Sequence, residues 1–459
     1  MYLLQVFLSE KYITLYSKGK SFRMFRSKSI RFSARTLFIT VLIFSSCKSH
    51  RQVVLPPVSS PLQQTVVEVP VVQNQPVQEE TEQSAVQQIP ETWESRTVRS
   101  LDSICNSQLM DTAQLGIYVY DLTSDTTFFS YKEKQRLRPA SCQKLVTSIS
   151  ALEYLGGDYK FCTDFRVNGQ ILGGTLTGDL YVVGGMDPLL SKNELKAMAL
   201  NLQKAGISRI KGHLYVDLSM KDDLEYGWGW CWDDDYGPLS ALTVDGKNTF
   251  VATWLQCLQS AGISLSSRSC TVHMCPPSSI SVGSITHSFD EVLVPMMKES
   301  DNIYAESMFY QIAAHSGQKN AGRKEAAGLV NDFITRLGLQ PDNYRIADGS
   351  GLSLYNYVSP LLLVSFLRYA WLDEKIRTHL YPALPVGGVD GTLEKRMLEA
   401  PLLENVHAKT GTVDGVSTLS GYLTAGNGHF LAFSIMNQGI ARSSIGKDFQ
   451  DKVCAILCK

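Results

Sequence analysis

Along this chain apolar positions recur every three to four residues in some stretches and alternate in others. Val98, Leu101 and Ile104 fall on one side of a helix over 93–108. Gly116-Ile-Tyr-Val-Tyr-Asp-Leu122 and Thr126-Thr-Phe-Phe-Ser-Tyr131 are β-branched and aromatic runs around Thr123-Ser124-Asp125, which predicts a hairpin. A helix begins behind Pro139, whose fixed φ suits a helix entrance, and carries Leu145, Ile149 and Leu152 to the breaker pair Gly156-Gly157. Helical spacing returns over 289–298 and 303–314. Near the end, Lys409 to Thr412 opens an edge strand that continues through Ser417 to Leu423. Gly426-Asn427-Gly428 then turns the chain into a strand over 430–436, and 443–457 closes as a helix. Helix, hairpin, helical middle, hairpin and terminal helix predict an α+β fold, an antiparallel sheet flanked by helices on both faces.

A second pattern interrupts the first. About 140 residues separate the helix after Pro139 from the next polar cluster, at Ser300. They hold strand-like runs over 161–167 and 178–183, a turn at Gly184-Gly185-Met-Asp-Pro188, helical spacing over 193–205 and a strand over 212–217, a βαβ-like order. Residues 92–157 and 285–459 are therefore assigned to one domain, and 158–284 to a smaller α/β domain inserted into it. The inserted part also holds an aromatic and acidic segment, Tyr226-Gly-Trp-Gly-Trp-Cys-Trp-Asp-Asp-Asp-Tyr236, which fits either a recognition cleft or a buried aromatic cluster.

Before residue 92 the pattern changes again. A short apolar run over 36–44 follows Arg26, Lys28, Arg31 and Arg35 and precedes Ser45-Ser46-Cys47, the layout of a secretory signal. At about half the ~20 residues of a bilayer-spanning helix, the run is too short for a permanent anchor. Residues 1–47 are read as the signal region, with Met24 as an alternative start. Its ending resembles a bacterial lipoprotein signal, in which Cys47 is the lipidation site. Residues 48–91 carry six prolines among Val, Gln and Ser without a glycine, and are read as a disordered tether spanning roughly 35–40 Å. That layout places the protein on the periplasmic side of the cell envelope, lipid-anchored or secreted, with membrane contact through the anchor only.

A formal net charge of -1 and 44% hydrophobic residues describe a globular body with no basic excess for nucleic acid. Ten cysteines in an exported chain permit disulfides; Cys270 with Cys275, and Cys105 with Cys454 or Cys458, are candidate pairs. No C-x-x-C, H-E-x-x-H or H-x-H occurs, so neither a metal nor another cofactor is expected.

The chemistry centres on Pro139-Ala-Ser-Cys-Gln-Lys144. Ser141 and Lys144, three apart on a helical turn, bring an amine within about 5–6 Å of a hydroxyl. That spacing alone is weak evidence, since it also begins at Ser17, Ser45, Ser316 and Ser444. Its companions make it specific: Ser300-Asp301-Asn302 follows, then Lys409-Thr410-Gly411, the one K-T-G in the chain. Together they form the active-serine set of penicillin-binding proteins and serine β-lactamases.

Longer stretches carry the resemblance further: GDLYVVGGMDPLL, SALTVDGKN, KESDNIYAES, DGSGLS, PVGGVDGTLEKR and HAKTGTVDGVSTLSGYL. Over about 95–458 the chain resembles the penicillin-binding-protein-4-like D-alanyl-D-alanine carboxypeptidases and endopeptidases. The resemblance implies a β-lactamase/transpeptidase-like sheet, cleavage of terminal D-alanine from peptidoglycan stem peptides through an acyl-enzyme on Ser141, and covalent inhibition by β-lactam antibiotics. Such proteins carry two inserted domains; this insertion is long enough for the first alone. Lys144 acts as base only when neutral, which costs about 4.6 kcal/mol at pH 7 for an unshifted lysine, so burial and a second cation, Lys409, are expected to lower its pKa. Ser300 relays a proton to the leaving amine, Asn302 orients Lys144 or the substrate amide, and Asp301 is the variable middle position. Lys409 and Thr410 hold the substrate carboxylate, Gly411 leaves room for the substrate, and backbone N–H groups of Ser141 and Thr412 make an oxyanion hole. Asp234 matches a family acid for the side-chain amine of the stem peptide, with Asp233 and Asp235 as neighbouring candidates. Cys142 is expected to fill the core. One rival, a class A β-lactamase, needs a glutamate with asparagine four residues later between S-D-N and K-T-G, and none occurs there. The other is a non-catalytic peptidoglycan-binding lipoprotein.

Overall fold

The structure, a computed structural model, describes residues 5–8, 12–17, 20–25 and 91–459 except 232–233 and 235–237. The apolar run over 36–44, Cys47 and the tether lie outside the described residues, as do Asp233 and Asp235. Residues 1–86 form one unit, with strands β1 (Gln5–Leu8), β2 (Tyr12–Ser17) and β3 (Lys20–Phe25) in an antiparallel meander.

The second unit, 87–459, begins with α1 (Trp93–Cys105), whose entrance is capped by the Thr92 hydroxyl on the N–H of Ser95. Strands β4 (Gln114–Asp121) and β5 (Thr126–Tyr131) follow as a hairpin. After a 3₁₀ turn over Ala140–Cys142 comes α2 (Gln143–Leu155), closed by Gly156 at φ 81°. The inserted part runs through β6 (Lys160–Leu172), β7 (Thr175–Val183), α3 (Lys192–Lys204), β8 (Arg209–Ile210), β9 (Leu214–Asp217), α4 (Phe250–Ser260), β10 (Ser264–Leu265), β11 (Cys270–Val272) and β12 (Ile280–Ser288). Then come α5 (Phe289–Lys298), α6 (Asn302–His315), α7 (Arg323–Arg336), α8 (Pro360–Leu372) and α9 (Glu374–Ala383). The last elements are β13 (His407–Val413), β14 (Val416–Thr424), β15 (Phe430–Gln438) and α10 (Ser443–Cys458).

Two sheets divide this unit. The first is antiparallel, in the order β13-β14-β15-β4-β5. Its alternation sends Leu115, Ile117, Val119, Phe433 and Ile435 to one face, against Leu101 of α1 and Phe449, Val453 and Leu457 of α10. Tyr118, Tyr120, Tyr422 and Met436 face the other way, into the core built by α2, α5, α6, α7, α8 and α9. The second sheet has seven strands, ordered β10-β8-β7-β6-β12, with β9 on β7 and β11 on β9. β7, α3 and β9 form the expected crossover between parallel strands. Helices α3 and α4 cover one face of this sheet, with Phe165, Val182, Leu195, Val216 and Trp254 buried between.

The chain enters the second sheet through β6 and leaves through β12, which pairs with β6 antiparallel from Ile280↔Val167 to Ser288↔Lys160. Entry and exit are thus neighbours, and the capping box of Ser288 and Glu291 starts α5 at once. A seam joins the two parts where Asn320 N–H donates to Ser219 O at 2.8 Å and Asp222 N–H to Ala321 O at 3.1 Å.

Two expectations are corrected. Lys409 to Leu423 is not one strand: the chain reverses at Asp414-Gly415, with Gly415 at φ 71°, so β13 and β14 pair antiparallel as a hairpin. The nine cysteines among the described residues are free thiols, so neither Cys270 with Cys275 nor Cys105 with Cys454 or Cys458 is bridged. Cys105, Cys454 and Cys458 serve as small apolar groups in the core between α1, α10 and the sheet.

Candidate active site

Ser141 lies in the 3₁₀ turn that feeds α2, behind Ala140 at φ 46°. From the first turn of α2, Lys144 reaches back, and its Nζ stands 3.0 Å from Ser141 Oγ. The same ammonium donates to Asn302 Oδ1 at 2.6 Å and to the Ser350 carbonyl at 2.9 Å. Its side chain has no exposure to solvent. Burial first, and the nearby charge of Lys409 second, lower its pKa to about 7.

Asn302 opens α6, whose cap is Asp301, accepting from the N–H of Tyr304 at 3.0 Å. Asp301 is thereby committed to the helix end, while its two neighbours turn to the lysines. Ser300 is held at φ 65°, in the left-handed region. Lys409 Nζ donates to Ser300 Oγ at 2.9 Å and to the Thr410 carbonyl at 2.8 Å, and burial pulls its pKa down to about 8. Two ammonium groups, two hydroxyls and an amide thus meet in one place from α2, the 299–302 turn and β13.

β13 is the outer strand of its sheet, where an extended peptide can add; of its outward backbone groups the Ala408 N–H is taken by Pro385 and the Thr410 carbonyl by Lys409 Nζ. Thr410 Oγ1 donates to Thr392 Oγ1 at 2.7 Å, and Thr412 is exposed at the same edge. Gly411 packs flat on the nucleophile's turn: a Cβ there would stand 2.7 Å from Pro139 O and 2.9 Å from Ser141 N. Cys142 points inward, fully buried. Its thiol donates to the Lys409 carbonyl at 3.2 Å and lies 3.2 Å from Thr418 Oγ1, and burial pushes its pKa up. Among the described residues no group of three or more His, Cys, Asp or Glu stands together as a metal site.

Asp234 is tied to its own segment. Its carboxylate accepts from the N–H of Cys231 at 2.6 Å, inside the tryptophan segment. That segment packs on the loop after the 3₁₀ turn Pro341–Asn343: Trp228 lies 4.9 Å from Tyr355 ring to ring and under the Arg323 guanidinium at 4.4 Å, and Trp230 Nε1 donates to Asp348 at 3.0 Å. Trp228 is 43% exposed, so the segment is neither wholly buried nor free of the core.

Four participants escaped sequence reasoning. The Ser350 carbonyl that receives Lys144 has no side-chain signature. Glu306, 1% exposed, accepts from the N–H groups of Gly349 and Ser350, and burial together with the charge of Asp348 raises its pKa above the usual carboxylate range. It stands one helical turn after Asn302, a spacing that could have marked it. Asp348 and Thr392 are the others.

A family model, D-Ala-D-Ala carboxypeptidase 3 (S13) family, matches residues 97–262 and 245–459. The D-alanyl-D-alanine carboxypeptidase DacB of Haemophilus influenzae is 24% identical, over 73% of this chain and 88% of its own length. A D-alanyl-D-alanine carboxypeptidase of Actinomadura sp. is 28% identical, over 74% and 80%. In fold, the crystal structure of penicillin binding protein 4 from Haemophilus influenzae aligns at a TM-score of 0.70 with 23% identity, covering 77% of this chain and all of that one. A predatory peptidoglycan endopeptidase from Bdellovibrio bacteriovorus aligns at 0.52 with 17% identity, over 75% and 92%. With both halves of the second unit matched, this chain belongs to the D-Ala-D-Ala carboxypeptidase 3 (S13) family.

Proposed function

We propose that this protein is a serine D-alanyl-D-alanine carboxypeptidase acting on peptidoglycan stem peptides, and that β-lactam antibiotics acylate the same serine. The observation that carries the reading is the buried Lys144 ammonium, 3.0 Å from Ser141 Oγ, with its pKa lowered to about 7. At neutral pH a large fraction is free amine and can take the hydroxyl proton as Oγ attacks the penultimate D-alanine carbonyl. The C–N bond breaks, and the leaving amine takes its proton through Ser300, which Lys409 holds at 2.9 Å. Water then attacks the ester, releasing the shortened peptide and restoring the Ser141 hydroxyl. Asn302 fixes Lys144, Lys409 with Thr410 takes the terminal carboxylate, and Gly411 with Thr412 lays the substrate along β13. Developing negative charge on the carbonyl oxygen is received by the N–H groups of Ser141 and Thr412. Asp234 is offered as the partner of the stem-peptide amine.

Cleavage of peptide cross-links by the same acyl-enzyme chemistry is part of this proposal, since an open strand edge accepts a peptide with either a free or a linked end. So is location: we place the enzyme on the periplasmic side of the envelope, anchored by lipid on Cys47. No helix among the described residues is long and apolar enough to cross a membrane. The experiment is release of D-alanine from a synthetic stem peptide, together with mass spectrometry after penicillin treatment. Wild type releases D-alanine and gains one adduct on Ser141; Ser141→Ala does neither. A Ser141→Ala variant that still released D-alanine would refute the assignment.

A further inference from the structure

We propose that Asp348 is a positioning residue that couples the tryptophan segment of the inserted part to Lys144, because one carboxylate holds both the Trp230 indole and the loop whose Ser350 carbonyl receives the lysine. The proposal rests on the reading of Ser141 and Lys144 as nucleophile and base.

Asp348 is 2% exposed. Oδ1 accepts from the N–H of Gly351 at 2.8 Å and from Asn356 Nδ2 at 2.6 Å, while Oδ2 accepts from the N–H of Ser353 at 2.6 Å and from Trp230 Nε1 at 3.0 Å. The loop 348–353 is therefore wound around this carboxylate. Its shape decides where the Ser350 carbonyl points, and that carbonyl is one of three partners of Lys144 Nζ. Gly351 is at φ 83° and so close to the nucleophile's turn that a Cβ on it would meet the Ala140 carbonyl. A shift of the loop is thus felt on both sides of the catalytic pair, at the base through Ser350 and at the serine through Ala140.

The tryptophan segment is fastened to this loop at more than one point. Ser353 Oγ donates to the Trp228 carbonyl at 2.6 Å, and Leu354 N–H to the Gly229 carbonyl at 3.3 Å. Gly229, at φ 82°, lets the two backbones come this close; a Cβ there would be 2.4 Å from the Tyr355 ring. Of these ties, the Trp230 indole alone reaches the carboxylate that shapes the loop. Whatever moves the segment, a bound stem peptide included, therefore acts on the geometry of the base and not merely on substrate affinity. A buried, charge-assisted bond is the kind whose loss is felt in rate.

Penicillin provides the test, because it reaches Ser141 without a stem peptide on the tryptophan segment. Acylation is followed with a fluorescent penicillin from pH 5.5 to 9 in wild type, Trp230→Phe and Asp348→Asn, alongside thermal melting. Lys144 is faced by Lys409 from β13, by Asp301 and Glu306 from the turn and helix of α6, and by Asp348 from the loop. Trp230→Phe keeps the ring and deletes the donor. Expected is acylation about tenfold slower, with the rising limb moved to higher pH, since the Asp348 charge is then less neutralised. Asp348→Asn removes that charge and moves the limb to lower pH. The idea fails if Trp230→Phe acylates at the wild-type rate with the wild-type pH profile and only KM for the stem peptide rises, the signature of plain substrate contact. It fails equally if Asp348→Asn leaves the limb in place. Absence of a penicillin adduct in wild type would instead overturn the assignment of the serine.

Discussion

Gly411→Ala tests how closely the substrate strand and the nucleophile's turn are packed. Gly411 does not adopt a left-handed φ, so the substitution meets no backbone strain of that kind and its effect is steric. The new methyl would lie 2.2 Å from Thr418 Oγ1, 2.7 Å from Pro139 O and 2.9 Å from Ser141 N. Thr418 could rotate away, but its hydroxyl is the donor to Pro139 O at 2.7 Å, so rotation strips one bond from the turn that carries the serine. The other two contacts are backbone and can be relieved only by separating β13 from that turn, by roughly 0.5–0.7 Å to reach ordinary contact. A misplacement of about 1 Å can cost a hundredfold in rate, so acylation should fall roughly ten- to a hundredfold. Overpacking should cost about 1–3 kcal/mol of stability. The second-order rate constant for labelling by fluorescent penicillin reads the first, and urea denaturation the second. Wild-type labelling together with wild-type stability would refute the close packing of Gly411 on Ser141.

The pH profile follows from the two lysines. Lys144 must be neutral, so acylation is gained as pH rises through about 7; Lys409 must be charged, so it is lost as pH rises through about 8, giving a narrow bell. Lys409→Met removes a like charge that helps to lower Lys144, so the rising limb should move to higher pH; a limb that stays put would show burial acting alone. Cys142, though next to the serine, is a buried thiol held as its protonated form, so Cys142→Ala should keep acylation within about threefold of wild type and iodoacetamide should not inactivate the enzyme. Inactivation traced to an alkylated Cys142 would contradict its enclosed position.

Local pattern carried far in this chain. The hairpin of β4 and β5, the crossover of β7, α3 and β9 and the helix behind Pro139 are written in spacings of two and 3.6 and in turn residues, and each formed where those signals stood. Misreading came where two local signals competed. Lys409 to Leu423 reads as one long strand, yet Asp414-Gly415 is a two-residue turn across which Val413 pairs with Val416. Nothing in the spacing of Cys105, Cys454 and Cys458 distinguishes a bridge from core packing. Only the enclosure between two helices and a sheet decides it.

The residue types that do the chemistry are legible in the chain alone, because a nucleophile, an amine base and a carboxylate-binding lysine are side chains with fixed identities and a fixed order. Their arrangement belongs to the tertiary structure. Lys144 meets Asn302 across 158 positions, Ser350 across 206, and Lys409 meets Ser300 across 109, and no local rule spans such distances. The lowered pKa of Lys144 likewise exists only once the fold has removed water from around it and set a second cation nearby. A backbone carbonyl such as that of Ser350 is present in every residue, so only the loop wound around Asp348 could make this one a partner of the base.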